Sequence, residues 1–156
     1  MPFRTRAGQP RDLLALIEGE VRERIEDAVD HVSLEVMVAR RRRQGLPAPL
    51  ADSARDRQEF TGGVRAFLER LQADLQPALT LEQERRVREA AGRTGADPVA
   101  RLVAGQVALA RELPDYWQRF EAIRLAYAAD QHRSGGNRGG LLRRLFARRL
   151  PGRERP

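Results

Sequence analysis

Apolar residues recur every three or four positions through most of the chain, which predicts helices rather than strands. The longest such pattern begins near Pro10 and continues to about Arg43, roughly 50 Å of helix. Its apolar positions share one helical face and are Leu14, Ile17, Val21, Ile25, Ala28, Val32 and Val36. Gly45, Pro47 and Pro49 predict that a loop follows this helix.

Two shorter helical patterns come next. Ser53 is a suitable N-cap for a second helix, which we expect Gly62-Gly63 to interrupt and Pro77 to end. The second helix carries the most regular apolar stripe, formed by Val64, Phe67, Leu68, Leu71 and Leu75. Residues 80–83 read Thr-Leu-Glu-Gln, a capping box that predicts a third helix ending near Ala91.

Proline residues predict where the last two helices begin. Asp97-Pro98 combines an N-cap with a proline in the first turn of a fourth helix, and Pro114 precedes a fifth. The apolar positions of these helices are Val99, Leu102, Val103, Leu109 and Leu113, then Tyr116, Phe120, Ile123 and Tyr127.

Five helices with short connections predict an all-α protein, a small helical bundle with a long first helix over residues 10–130. The abundance of Ala, Leu, Arg, Glu and Gln, which are good helix formers, agrees with this fold class. We expect the core to contain Leu14, Ile17, Val21, Ile25, Val32, Phe67, Leu68, Leu71, Leu102, Val103, Leu109, Phe120, Ile123 and Tyr127.

Charge is distributed very unevenly along the chain. All 29 basic residues are arginine, and eight of them lie in residues 131–156 with a single acid, Glu154. That segment therefore carries +7, the whole formal net charge, while the remaining 21 arginines and 21 carboxylates cancel. The sequence predicts that a helical body over residues 10–130, within a segment 1–130 that has no net charge, is followed by a basic, Gly-rich tail over residues 131–156.

The tail has an internal pattern of its own. Residues 134–140 are rich in glycine and predict a flexible spacer. A short amphipathic helix is predicted after it, with Leu141, Leu142, Leu145 and Phe146 on one side and Arg143, Arg144 and Arg148 on the other. So short a helix is not stable alone in water, so we expect it to order on a partner.

Two sets of residues are candidates for binding. We predict anion binding, most favourably to nucleic acid, by the tail and by the last turn of the first helix, through Arg133, Arg138, Arg143, Arg144, Arg148, Arg149, Arg153, Arg40, Arg41, Arg42 and Arg43. We predict a partner interface from apolar residues off the main stripe of the first helix and from the tail, namely Leu16, Leu34, Met37, Leu141, Leu142, Leu145 and Phe146.

Catalytic and metal-binding chemistry has little support. The chain has no cysteine and no lysine, which excludes thiolate metal ligands, cysteine nucleophiles and Schiff-base lysines. Only two histidines occur, and no nucleophile elbow or His-Glu-x-x-His motif is present. We therefore expect no enzymatic activity, cofactor, metal or small-molecule substrate, and we expect Glu20, Glu23, Asp27 and Asp30, beside His31, to form a solvated face.

Three other features favour ordinary packing. Residues 87–103 have the proportions of a helix–turn–helix, but Arg101 is the only basic residue of its second helix, so we expect a bundle contact. Tyr116, Trp117, Phe120 and Tyr127 fit a buried face better than a stacking platform for bases. Gln106 is expected to be a hydrogen-bonded amide in the core.

The function classes that remain are all binding functions. The first is a helical adaptor or assembly subunit whose tail binds nucleic acid. The alternatives are a protein-interaction module that docks into a larger assembly by its tail, and a peripheral protein of an anionic membrane surface. The long first helix predicts a protein partner or a homo-oligomer. The absence of an apolar leader or an 18-residue apolar run, together with the absence of cysteine, favours a cytoplasmic protein.

Overall fold

A computed structural model describes residues 10–136 of the chain, with side chains from Leu13 to Arg133. Within that range the chain forms five α-helices and no strand. The helices are α1 (Pro10–Arg43), α2 (Ala54–Leu75), α3 (Leu81–Gly92), α4 (Pro98–Glu112) and α5 (Tyr116–Gly136). A 3₁₀ turn at Gln76–Ala78 joins α2 to α3. The predicted all-α bundle with a long first helix is confirmed.

The helix starts use the side chains that the sequence marks as caps. At the start of α2, Ser53 Oγ accepts a hydrogen bond from the Asp56 backbone N–H at 3.3 Å. Thr80 Oγ1 accepts a hydrogen bond from the Gln83 backbone N–H at 3.2 Å, and Gln83 Oε1 accepts one from the Thr80 backbone N–H at 2.9 Å. This reciprocal pair is the predicted capping box of α3. Asp97 caps α4 by accepting a first-turn N–H at 3.1 Å. After α1, Gly45 has a φ of 70°, a left-handed conformation that glycine adopts at little cost.

The predicted break in the second helix is wrong, because α2 is continuous through Gly62-Gly63. Glycine inside a helix costs about 1 kcal/mol relative to alanine. The next turns of α2 bury Val64, Phe67 and Leu68, and this tertiary packing outweighs the local preference. Gly63 also faces Ser33 of α1, where an added Cβ would lie 3.9 Å from the serine Cβ.

Helix α4 lies at the centre of the bundle and packs against α1, α2 and α3. Its seven consecutive residues 103–109 are all buried. Gln106, in the middle of this run, is fully buried and accepts a hydrogen bond from the Tyr116 hydroxyl at 2.8 Å. The prediction of a hydrogen-bonded core amide at this position is confirmed for the amide oxygen, whereas Gln106 Nε2 has no partner among the described residues.

Aromatic residues join α2 to α5. The ring of Phe67 meets Phe120 edge-on with centroids 5.6 Å apart, and its centroid lies 5.0 Å from that of Tyr127. These three side chains are buried, as expected for a core. Trp117, at the margin of the cluster, is half-buried and lies under the Arg24 guanidinium, 3.9 Å from the ring centroid.

Helix α5 runs parallel to α1. Contacts along the two helices join, in chain order, Arg24 to Trp117, Glu35 to Arg124, and Arg43 to His132. Helical structure continues past residue 130 to Gly136, so the first residues assigned to the tail belong to a helix that packs on the body. The C-terminal part of the chain therefore leaves the described structure beside the end of α1.

Most of the predicted core is buried, but its N-terminal part is not. Leu14 and Ile17 are 60% and 48% exposed, so their prediction as core residues is wrong. The antiparallel α2 has only 22 residues against the 34 of α1, and it ends opposite the region of Val21. The first turns of α1 consequently extend beyond α2. Three further predicted core residues are only half-buried, namely Val21, Leu102 and Ile123.

Leu71 of α2 is completely buried in the core, so truncating it should create a cavity. We expect Leu71→Ala to lower the free energy of unfolding by about 2–5 kcal/mol in chemical denaturation. Leu81→Ala, at a leucine that is 86% exposed, is the matched control and should change it by less than about 0.5 kcal/mol. A similarly small effect at Leu71 would contradict the packing described.

Candidate functional site

Arg41 is a structural residue rather than a free anion-binding group. Its Nη2 lies 2.6 Å from Asp56 Oδ1 and 2.7 Å from Glu59 Oε2, and its side chain is only 11% exposed. Two carboxylates of α2 thus neutralise its charge. The prediction that Arg41 is available to an external anion is therefore wrong, because sequence alone could not show which carboxylates α2 brings to this position.

The same ion pair anchors the loop between α1 and α2. Asp56 Oδ2 accepts the Leu50 backbone N–H at 2.8 Å, and Arg41 donates to the Pro47 carbonyl at 3.3 Å. The hydrogen bond from Leu50, followed by that from Arg41, holds the pKa of Asp56 below its ordinary value. The carboxylate therefore stabilises the loop only while it is ionised.

The other three arginines of the last turn of α1 differ from one another. Arg40 donates to Gln131 Oε1 at 3.0 Å and lies 4.0 Å from Glu59. Arg43 is exposed, donates to the Gln131 carbonyl at 3.2 Å and lies 3.0 Å from His132 Nδ1, and it forms no ion pair with a carboxylate of the described residues. Arg42 is exposed and forms no ion pair within the described part of the chain. Arg42 and Arg43 are thus the members of this cluster that keep their charge for a partner.

Arg133 is the only predicted tail arginine with a described side chain, and it pairs with Asp130 on α5. Asp130 also lies 3.0 Å from Arg70 of α2. The other predicted binding residues of the tail lie outside the described residues, namely Arg138, Leu141, Leu142, Arg143, Arg144, Leu145, Phe146, Arg148, Arg149 and Arg153.

One side of α1 forms an exposed acidic face, as expected for a solvated surface. Its carboxylates are Glu20, Glu23, Glu26, Asp27 and Asp30. None of them forms an ion pair with a residue in the described range, whereas Glu18 pairs with Arg111 and Glu35 with Arg124. Partial burial, and then repulsion from Asp27, raises the pKa of Asp30. The acidic face is a concentration of negative charge that the body leaves unneutralised.

The three predicted interface residues of α1 have different environments. Leu16 and Leu34 are 66% and 46% exposed, in agreement with a surface position. Met37 is only 4% exposed, so its prediction as an exposed interface residue is wrong. It lines one depression together with Pro49 and Leu50 of the following loop and Phe60 of α2, an arrangement that helical periodicity does not reveal.

An apolar depression, here called the α1–loop groove, lies between α1, the following loop and α2. Its volume is about 510 Å³, and it is lined mainly by Leu34, Met37, Pro49, Leu50, Ala51, Arg57 and Phe60. Leu50 is 64% exposed at the rim. Helical periodicity does not predict this groove, although Leu50 in a loop rich in proline was a signal for it.

A second apolar depression, the α1–α4 groove, lies at the opposite end of α1. It has a volume of about 460 Å³ and is formed by Leu14, Ile17 and Val21 of α1 with Val107 and Ala110 of α4. The ion pair of Glu18 and Arg111 borders it. Leu13 and Leu16, 54% and 66% exposed, extend the apolar surface around the first turns of α1.

The helix–turn–helix interpretation does not fit the position of α4. A recognition helix presents one exposed side to a DNA groove. The central residues 103–109 of α4 are instead buried among its neighbours, so this helix has no free side of that kind. The expectation of an ordinary bundle contact at this position is confirmed.

No protein-family model, curated protein or solved structure matches the chain. Among the residues that the structure describes, no three His, Asp or Glu side chains come together as a set of metal ligands. No helix over residues 10–136 is both long and apolar enough to cross a membrane. The candidate site is therefore defined by its surfaces: the exposed arginines at the end of α1, the acidic face and the two apolar grooves.

The lowered pKa of Asp56 predicts that its contribution to the stability of the fold depends on pH. A carboxylate whose pKa is lower in the folded state than in the unfolded state stabilises the fold. This contribution is complete when the pH is above the pKa of the unfolded chain, about 3.9, and it is lost as the pH falls through the pKa of the folded protein. We expect Asp56→Asn to unfold at a lower temperature than the wild type at pH 7. The difference should shrink as the pH falls from about 5 to 2, measured by thermal unfolding followed by circular dichroism.

The control for this experiment is Asp52→Asn, at an exposed carboxylate of the same loop. Asp52 forms no hydrogen bond or ion pair like those of Asp56, so its variant should follow the wild type throughout. A difference between Asp56→Asn and wild type that does not vary with pH would contradict the role assigned to the ionised carboxylate.

Proposed function

We propose that this protein is a non-enzymatic helical assembly subunit whose arginine-rich tail, residues 131–156, binds nucleic acid. The observation that carries the proposal is the segregation of charge. Residues 1–130 have no net charge, and residues 131–156 hold +7 with arginine as the only basic residue. Guanidinium groups bind phosphate oxygens through two parallel hydrogen bonds, which makes a phosphate backbone a well-matched partner.

The arrangement of α1 and α5 supports this function. Because the two helices are parallel and His132 lies beside Arg43, the tail leaves the body next to the last turn of α1. Arg42 and Arg43 are exposed at that place. A single strand bound by the tail therefore has two further guanidinium groups within its path, on a rigid helix end.

The opposite end of α1 supports the part of the proposal that concerns assembly. Leu13, Leu14, Leu16 and Ile17 are each about half exposed or more, within little more than one helical turn. Contiguous apolar surface of this kind is common at protein–protein contacts. A second copy of the chain is the simplest partner, since Leu13 and Leu16 protrude beside the α1–α4 groove that could receive them.

If the tail binds nucleic acid, removing positive charge from the tail should lower the affinity for an oligonucleotide. The triple variant Arg143→Gln, Arg144→Gln, Arg148→Gln should bind a single-stranded oligonucleotide more weakly. The slope of log K against log salt concentration should fall by about 2, as expected for three lost phosphate contacts. Arg144→Ala alone should also weaken binding, whereas Leu145→Ala should not. Fluorescence anisotropy over a salt series measures both quantities.

A matched control removes three arginines from the body instead. Arg65→Gln, Arg85→Gln, Arg88→Gln gives the same net charge but alters exposed residues on α2 and α3, and it should retain binding. Equal losses in the two triple variants, or full binding by a chain ending at Gly136, would contradict the proposal. Binding to anionic vesicles that depends on Leu145, without binding to oligonucleotides, would favour the membrane alternative.

Self-association through the first turns of α1 predicts a dimer at high concentration. Light scattering should then report about twice the chain mass of 17.6 kDa. The double variant Leu13→Ser, Leu16→Ser should remain monomeric under the same conditions. Leu81→Ser, Leu125→Ser changes two leucines that are also exposed, on α3 and α5, and should behave as the wild type. A wild-type chain that stays monomeric would contradict the dimer.

A further inference from the structure

The α1–loop groove presents several apolar side chains on the surface of the bundle. Its volume of about 510 Å³ is in the range of pockets that enclose several side chains. Its lining includes Leu34 and Leu50, which are 46% and 64% exposed, together with Met37 and Phe60. Burying such residues is worth about 1.5–3 kcal/mol for each side chain, so an apolar ligand of suitable shape would gain from entering.

Negative charge extends from the groove along α1. Asp30 lies four residues before Leu34, so both side chains are on the same side of the helix, one turn apart. Residues 10–39 contain eight carboxylates and three arginines, a net charge of −5. The positive charge that borders the groove belongs to Arg57, which donates to the Ala51 carbonyl at 3.3 Å. The surface therefore fits a ligand that is apolar on one side and basic on the other.

Residues 141–149 of the same chain have this composition. Leu141, Leu142, Leu145 and Phe146 form one side of the predicted helix, and arginines form the other. The charge of residues 131–156, +7, is opposite in sign to that of the acidic face and of similar size. The apolar side and the positive charge of this segment thus both match the groove and the acidic face beside it.

Chain length decides which of the two apolar grooves this segment can reach. An extended chain spans at most about 3.4 Å per residue, which places Phe146 no more than about 34 Å from Gly136. Gly136 lies past the C-terminal end of α1, and Met37 is only about 9 Å along the helix axis from Arg43. Ile17, in the α1–α4 groove, is about 39 Å from Arg43 along the same axis and is out of reach.

We infer that residues 141–149 bind in the α1–loop groove of their own chain. The apolar side of the segment lies on Leu34, Leu50 and Phe60, and its arginines lie against Asp27 and Asp30. The docked arginines are then unavailable to phosphate, so the acidic face and nucleic acid compete for them. The competition rests on the proposed function, whereas the docking does not.

Docking is tested by paramagnetic relaxation enhancement in the full chain. The protein has no cysteine, so Pro151→Cys introduces a unique site for a nitroxide label. At low salt we expect broadening of the amide signals of Leu34, Leu50 and Phe60, with the signals of Val107 and Ala110 unaffected. Leu34→Ser should reduce the broadening around the groove, and Leu81→Ser, at an exposed leucine of α3, should not.

A mixed sample separates contact within a chain from contact between chains. In it, the nitroxide is on chains without ¹⁵N, and the ¹⁵N chains carry no label. Broadening in the doubly labelled chain but not in the mixed sample supports the inference. Equal broadening in both samples, or no broadening at the groove in either, would overturn it.

Competition is tested with a single-stranded oligonucleotide. If about nine tenths of the molecules are docked, Leu34→Ser should bind the oligonucleotide about tenfold more tightly than the wild type, and Leu81→Ser should bind it equally. Added oligonucleotide should also relieve the broadening at the groove. Equal affinities of Leu34→Ser and wild type would overturn the competition. If no variant binds the oligonucleotide, the proposed function fails, and the relaxation experiment still decides whether the segment docks.

Discussion

The burial of α4 is the constraint on which the rest of the fold depends. A helix with seven consecutive buried residues has to be surrounded, and α1, α2 and α3 pack around it. Small residues make this close approach feasible, since Ala104, Gly105 and Ala108 belong to the buried run. The buried Gln106 finds its partner in Tyr116 at the start of α5, which links the central helix to the last one. Charged side chains are consequently confined to the outer faces of the bundle.

That confinement determines which charges are available to partners. Arginines on the outer faces of α2 and α3 mostly meet carboxylates within their own helix, as Arg65 meets Glu69 and Arg85 meets Glu89. Such exposed pairs contribute little to stability, but they leave little net field over those faces. In the described part of the chain, the acidic face of α1 and the exposed Arg42 and Arg43 at its end are two places where neighbouring like charges form no ion pair. The distribution of unpaired charge, rather than its sum, is the feature that supports a binding function.

The two ends of α1 are suited to different partners. The N-terminal turns extend beyond α2 and expose leucines, which suits another protein surface. The C-terminal end brings together Arg42, Arg43, the α1–loop groove and the point where the chain leaves α5. Because α5 is parallel to α1, the basic segment starts close to both a cluster of arginines and an apolar groove. An arrangement of this kind allows one tail to bind either the body or an external polyanion, with the acidic face opposing the latter.

The sequence by itself determined the five helices, their caps and the division into a neutral segment, residues 1–130, and a basic tail. These features depend on local chemistry: apolar spacing, Ser53, Thr80 and Asp97 as caps, and a count of charges. The tertiary structure decided which helix faces are covered, and therefore which predicted residues are available. Leu14 and Ile17 follow the core periodicity but are exposed because α2 is too short to cover them, while Met37 departs from it but is buried near the following loop and Phe60 of α2. Arg41 looks like its neighbours in sequence and differs from them because α2 brings Asp56 and Glu59 to its guanidinium. Periodicity specifies the direction in which a side chain points along a helix, whereas burial and ion pairing depend on residues distant in sequence that only folding brings together.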